Sequence, residues 1–146
     1  MRGAAWLCLA GVASLIGSMF AAPAPRPASA ETGIRTVNIT IHYSHFQPDR
    51  VVVAPGETVR FVVRNTDPID HEFILGDRYI QHIFETGTET VHSMPGATSV
   101  PAGTTGTTVF TFPDLATPVI FGCHLPGHFA YGMRGLVIVS GVPRTT

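Results

Sequence analysis

The stretch VIFGCHLPGHFAYGMRGLVIV, residues 119–139, decides the fold class. Its ends, Val119–Cys123 and Leu136–Val139, are short runs rich in β-branched and aromatic residues, a composition typical of strands. The segment between them contains Pro126 and Gly127, which favour turns. We therefore predict two strands joined by a loop that is held at both ends.

This loop, residues 123–133, carries three side chains of the types that bind soft metal ions, and we call it the ligand loop. Cys123, His128 and Met133 follow the spacing C-x4-H-x4-M. Thiolate, imidazole and thioether together favour copper, and a second histidine would complete a trigonal plane with the methionine as a long axial ligand. His71 suits this role because it opens the apolar run His71–Leu75 directly after a turn. Zinc is the alternative ion, but thioether is a poor zinc ligand.

Alternating apolar and polar residues predict strands along most of the remaining chain. Glycines and prolines separate these runs, so the pattern predicts an all-β sandwich or barrel of about seven or eight strands. Residues 76–100 lack the alternation, and we interpret them as an irregular excursion in which one helical turn could form. The further predicted strands are Val37–Tyr43, Val51–Val53, Thr58–Arg64, His71–Leu75 and Thr105–Phe112.

The first 30 residues predict an export signal. Arg2 is followed by the uncharged, mainly apolar stretch Ala4–Ala22, and Ala28–Ala30 forms an A-x-A processing pattern. We expect cleavage after Ala30, which leaves residues 31–146 as a single domain. The alternative is a retained membrane anchor, because about 20 apolar residues can span a bilayer.

Composition excludes several classes of protein. The 146 residues carry nine basic and ten acidic side chains, so a net charge of −1 gives no strong electrostatic footprint for nucleic acid. Two cysteines cannot build a disulfide-dense scaffold. Removal of the signal leaves only Cys123, which must be a free thiol, an intermolecular bridge or a metal ligand.

With these residues identified, the chain resembles the cupredoxins, exported blue-copper proteins of the plastocyanin, azurin and rusticyanin group. The resemblance rests on Phe46–Phe61, on Asn65–His71 and on the cysteine loop, and it spans residues 34–139. It implies a Greek-key β-sandwich that holds one type 1 copper ion. Glu72 departs from the family, which often places there an Asn or Ser that hydrogen-bonds across to the ligand loop. The copper ligands that the resemblance implies are His71, Cys123, His128 and Met133.

The expected function is electron transport by Cu(II)/Cu(I) cycling, without enzymatic turnover. We expect a monomer in the periplasm or secreted medium, with no membrane insertion after cleavage. Its partner would be a transient redox protein such as a c-type cytochrome or a copper oxidase or reductase. His128 should lie nearest the surface, within an apolar rim that serves as the docking face. The residues expected in that rim are Leu125, Pro126, Phe129, Ala130 and Tyr131.

The remaining histidines leave an alternative open. We interpret His124 as structural and regard His42 and His45 as solvated. A second copper site could use His82, His92 or Met94, and such a site would favour copper storage, delivery or tolerance over electron transport.

Overall fold

The computed structural model describes residues 33–87, 89, 94–114 and 118–141, and these residues contain nine strands and one helix. The predicted signal at residues 1–30 lies outside this part, as does His92. The strands are β1 Arg35–His42, β2 His45–Gln47, β3 Arg50–Val53, β4 Thr58–Asn65, β5 His71–Gly76, β6 Ala97–Val100, β7 Thr105–Thr111, β8 Val119–Gly122 and β9 Arg134–Val139, and the helix is α1 Arg78–Glu85.

The strands form two mixed sheets, and the predicted all-β fold class is confirmed. One sheet has the order β2-β1-β4-β7 and the other the order β3-β9-β8-β5-β6. The pairs β1–β4 and β3–β9 are parallel, and the other described pairs are antiparallel.

Alternating side chains of the two sheets meet in one core. In β4, Val59, Phe61 and Val63 are fully buried, while Arg60 and Arg64 between and after them are exposed. This period of two is the one that the sequence shows, because successive side chains of a strand point to opposite faces.

A phenylalanine cluster at the centre joins the sheets. Phe73 of β5 lies 5.3 Å from Phe61 of β4 and 5.2 Å from Phe121 of β8, measured between ring centroids. Phe46 of β2 contacts both Phe73 and Phe121 edge to face. Such aromatic pairs stabilise a core beyond the area they bury.

The excursion at residues 76–100 is more regular than predicted. Helix α1 spans two turns and is capped at its N-terminus by Asp77, whose carboxylate accepts the N–H of Ile80. The prediction allowed for one helical turn and underestimated this helix. Ile80, Ile83 and Phe84 do have the spacing of a helix face and pack in one cluster with Ile74, but eight residues are too short for that spacing to stand out in the sequence. Gln81 fastens it to the sheet by donating to the carbonyl oxygens of Ile74 and Ile120.

Strands β2 and β6 were also not predicted. Three residues of β2 are too few to show alternation, and the sequence ATSV of β6 has no apolar stripe. Strand β6 forms because its backbone pairs with β5. Among the described residues, the structure contains no helix of sufficient length and apolarity to cross a bilayer.

Candidate metal centre

Three strand ends at one end of the second sheet position the predicted ligands. Strand β5 begins at His71, β8 ends directly before Cys123, and β9 begins directly after Met133. Since β8 is antiparallel to both neighbours, with Gly122 opposite Ile74 and Arg134, these ends meet. The strand pairing therefore brings together residues that are 52 positions apart in the chain.

Three donor atoms converge there. The Sγ atom of Cys123 lies 3.2 Å from Nδ1 of His128 and 3.9 Å from Nδ1 of His71. One donor atom from each of the three residues lies within 4.8 Å of the other two, and this is the only such cluster of His, Cys, Asp and Glu found in the described part of the chain. The arrangement suits one ion shared by two imidazoles and a thiolate.

Burial shifts the pKa values of two of the donor side chains toward their neutral forms. Burial raises the pKa of the Cys123 thiol, and hydrogen bonds from the backbone N–H groups of Glu72 and Leu125 oppose this rise. Burial also lowers the pKa of His128, with a further contribution from His71 and opposition from Glu72. Neutral imidazoles keep lone pairs for a metal, whereas a buried thiolate needs a compensating positive charge.

The backbone around the thiol is tightly connected. The N–H of Glu72 donates to the Cys123 sulfur at 3.3 Å, and the N–H of Cys123 donates to the carbonyl of Met133 at 3.2 Å. Met133 in turn donates its N–H to the carbonyl of His128 at 3.0 Å, and its side chain is buried in the same core cluster as Cys123. At Glu72, the link from β5 to the ligand loop therefore runs through the main chain.

The ring nitrogen of His71 that faces away from Cys123 contacts a carboxylate that was not predicted from the sequence. Nε2 of His71 lies 3.0 Å from Oδ2 of Asp67, and both side chains are buried. Burial would raise the pKa of the Asp67 carboxyl, but hydrogen bonds from the backbone N–H groups of Ser44 and Tyr43 and from His71 lower it below its ordinary value. The sequence signal was an Asp four residues before the candidate ligand, which we had interpreted only as part of a turn.

His124 has the contacts of a structural residue. Its ring stacks on Phe129 at 4.5 Å, and its Nε2 lies 2.7 Å from the Oε1 atom of Gln81. Gly122 makes room for this stack, because a Cβ at that position would lie 2.6 Å from the Phe129 ring. His124 thus connects the ligand loop to α1, since it contacts Gln81 of the helix and Phe129 of the loop.

Comparison with known proteins identifies the family. Residues 10–99, more than half of the chain, match the model of the cupredoxin-like domain. The chain belongs to the cupredoxin-like family. The matched range includes His71, and the loop from Cys123 to Met133 lies beyond it.

Relatives of this cupredoxin include two copper-resistant cuproproteins. The chain is 39% identical over 122 residues to CopI of Rubrivivax gelatinosus, covering 80% of this chain and 73% of that protein. It is 29% identical over 148 residues to CopI of Pseudomonas aeruginosa, covering 79% and 81%. Auracyanin A, a "blue" copper protein of Chloroflexus aurantiacus, has the same fold with a TM-score of 0.60, at 22% identity over 74% of this chain and all of that protein.

The residues present fit copper. Two imidazole nitrogens and one sulfur lie close together. The main chain of the buried Met133 is hydrogen-bonded to the main chains of both Cys123 and His128. This donor set suits a type 1 copper ion, the cofactor that the family implies. The histidines at positions 42, 45 and 82 are exposed and lie outside the cluster, and Met94 packs against Ile74 and Phe84.

Of the four predicted ligands in this cupredoxin, His128 is the most exposed to solvent. His128 is half-buried, whereas His71, Cys123 and Met133 are each at most 2% exposed. The five residues expected to form the rim are all accessible to some degree: Tyr131 is 90% exposed, Pro126 and Ala130 are exposed, and Leu125 and Phe129 are half-buried. We name the surface formed by these five residues the rim patch.

Proposed function

We propose that this protein is an extracytoplasmic carrier of single electrons, with the Nδ1 atoms of His71 and His128 and the sulfurs of Cys123 and Met133 as copper ligands. The observation that supports it most is that one nitrogen from each of the two imidazoles and the thiol sulfur already lie within 4.8 Å of one another. Bound copper supplies the one-electron Cu(II)/Cu(I) couple. The chain supplies a site that needs little rearrangement to bind it.

The scaffold supports electron transfer by holding the ligands still. His71 and Cys123 adjoin paired strands, and Cys123 and Met133 are joined by a main-chain hydrogen bond. Ligands fixed on rigid elements change little in position when the charge at the site changes. Electrons would pass between the copper and a partner through His128, because its imidazole is the most exposed of these four side chains.

The partner we propose is a redox protein that docks briefly on the rim patch, such as a c-type cytochrome or a copper oxidase or reductase. The patch is apolar, apart from the phenol of Tyr131, and its residues flank the partly exposed His128 in the sequence. Small apolar surfaces of this kind suit transient contacts in electron transfer. A monomer fits this role.

The test of the proposal is the visible spectrum of the purified protein titrated with Cu(II). We expect an intense blue band from thiolate-to-copper charge transfer that saturates at one copper per chain. The band should bleach on reduction and return on oxidation. A colourless adduct, or binding of two or more coppers per chain, would contradict the proposal. Steady consumption of oxygen or nitrite would contradict a non-enzymatic role.

A charge placed in the rim patch tests its role in docking. Tyr131→Lys should slow electron self-exchange between oxidised and reduced copies at least about tenfold, because two like charges then face each other at close range. The blue band should be unchanged. NMR line broadening in mixed redox states measures the exchange rate.

Tyr79→Lys is the matched control for this variant. Tyr79 is 68% exposed and lies beside Pro118, at the opposite end of β8 from the ligand loop. Its substitution should leave self-exchange within about twofold of the unmodified rate, since added charge far from the contact is screened. Equal slowing by both variants would show that net charge, and not the rim patch, controls the encounter.

Copper tolerance is the second candidate function. The observation that favours it is that both relatives described above are copper-resistant cuproproteins. The same four ligands could sequester copper without passing electrons. Deleting the gene from its host and measuring growth in the presence of copper tests this role. Complementing the deletion strain with the Tyr131→Lys protein separates the two functions. Tolerance alone would survive that substitution, whereas a role that needs docking would not.

A further inference from the structure

Asp67 joins a surface turn to the buried ligand His71. Its Oδ2 atom accepts the N–H of Ser44 at 2.7 Å and faces Nε2 of His71 at 3.0 Å, while its Oδ1 atom accepts the N–H of Tyr43 at 2.7 Å. The side chain is 6% exposed. Burying a charge is costly unless it is hydrogen-bonded, and these three partners compensate the burial of this carboxylate.

The chemistry of the carboxylate fixes the histidine tautomer. An ionised carboxylate only accepts hydrogen bonds, so Nε2 of His71 must carry the proton that it donates to Asp67. The lone pair then resides on Nδ1, the atom that faces the Cys123 sulfur at 3.9 Å. In the other tautomer, a proton would stand where the metal binds.

The surroundings hold the carboxylate in place. Tyr43 and Ser44 form the two-residue turn between β1 and β2, and both have positive φ, 50° and 56°, so both N–H groups point at Asp67. Behind it, the N–H of Asp67 donates to the Asn65 side chain, whose amide is bonded to the carbonyls of Ile69 and Val100. Besides His71, the titratable group that faces Asp67 is His42, whose Nδ1 lies 4.0 Å from Oδ1.

We propose that Asp67 is a positioning residue that sets the tautomer of His71 and lowers the reduction potential of the copper. A carboxylate behind a metal-bound imidazole makes the ring a better electron donor, and the more highly charged Cu(II) benefits more than Cu(I). This inference rests on the proposed function for its effect on the potential. Its structural half, the tautomer of His71, stands without it.

The first experiment uses the metal-free wild-type protein. Long-range ¹H–¹⁵N correlation spectra should show His71 protonated at Nε2, with a proton that exchanges slowly with water. Protonation at Nδ1, or rapid exchange at Nε2, would overturn the proposal. This measurement needs neither copper nor a variant, so it decides the structural half even if the electron-carrier role fails.

The second experiment compares Asp67→Asn with Asp70→Asn in the copper-loaded protein. Both variants remove one negative charge from the same loop, but Asp70 is exposed and accepts only the N–H of Ala102 among the described contacts. Asp67→Asn should weaken the binding of Cu(II) more than the binding of Cu(I), whereas Asp70→Asn should affect both alike. The ratio of the two binding constants should differ about tenfold between the variants, so the reduction potential of Asp67→Asn should be about 59 mV above that of Asp70→Asn. Equal potentials for the two variants would overturn the effect on copper.

The fold is checked alongside the potential. Thermal unfolding of each metal-free variant shows whether Asp67→Asn folds. If it does not fold, the tautomer of His71 measured in the wild-type protein decides whether Asp67 positions His71. A wild-type protein that binds copper without a blue band would contradict the proposed function, while slowly exchanging Nε2–H in the same sample would still support the link from Asp67 to His71.

Discussion

Cys123→Ser is expected to abolish the intense visible absorption of the copper-loaded protein completely. The band arises from charge transfer between a thiolate and copper, and a serine hydroxyl offers no comparable donor at neutral pH. Cys123 is fully buried and is the free cysteine of the described residues. Absorption spectra of the two proteins, loaded with one equivalent of Cu(II), measure the effect.

Stability should change far less than the spectrum. The serine oxygen can accept the N–H of Glu72 that the sulfur now accepts, so we expect a loss of about 1–2 kcal/mol in the metal-free protein. Urea unfolding of both metal-free proteins tests this.

Met133→Leu is the matched control. It replaces another buried side chain of the same loop and removes only the weak axial sulfur, so the blue band should persist. A Cys123→Ser protein that stays blue, or a Met133→Leu protein that loses all colour, would contradict the ligand roles proposed for the two residues.

The strands that the sequence predicted are those with a clear period of two. Thr58–Arg64 alternates in the sequence because one face of β4 contributes Val59, Phe61 and Val63 to the core. The short strand Ala97–Val100 has no such pattern, since its place in the sheet comes from backbone pairing with β5. Pairing partners distant in the chain leave no periodic trace in a single sequence.

The donors of the candidate site were visible because their chemistry is rare. A cysteine, a histidine and a methionine at regular spacing in one loop point to copper without any knowledge of the fold. Asp67 was not visible, because an aspartate in a turn is common and its contact with His71 depends on how the loop folds back. The main-chain N–H of Glu72 was likewise hidden, because every residue carries one.

Phe73→Ala is expected to destabilise the metal-free protein by about 3–5 kcal/mol, the cost of a large cavity in a packed core. Phe73 is fully buried and contacts Phe46 and Phe61 of one sheet and Phe121 of the other, so its removal empties the point where the sheets meet. Urea unfolding followed by circular dichroism measures the free energy of unfolding.

Val52→Ala is the control for Phe73→Ala. Val52 is 57% exposed on β3, and its substitution should change the free energy of unfolding by about 0.5 kcal/mol or less. Copper should restore part of the stability lost in Phe73→Ala, because an ion that binds only the folded chain favours that state. A loss below about 1 kcal/mol in Phe73→Ala would mean that the sheets are held together elsewhere, since a cavity of this size cannot be closed by small side-chain shifts alone.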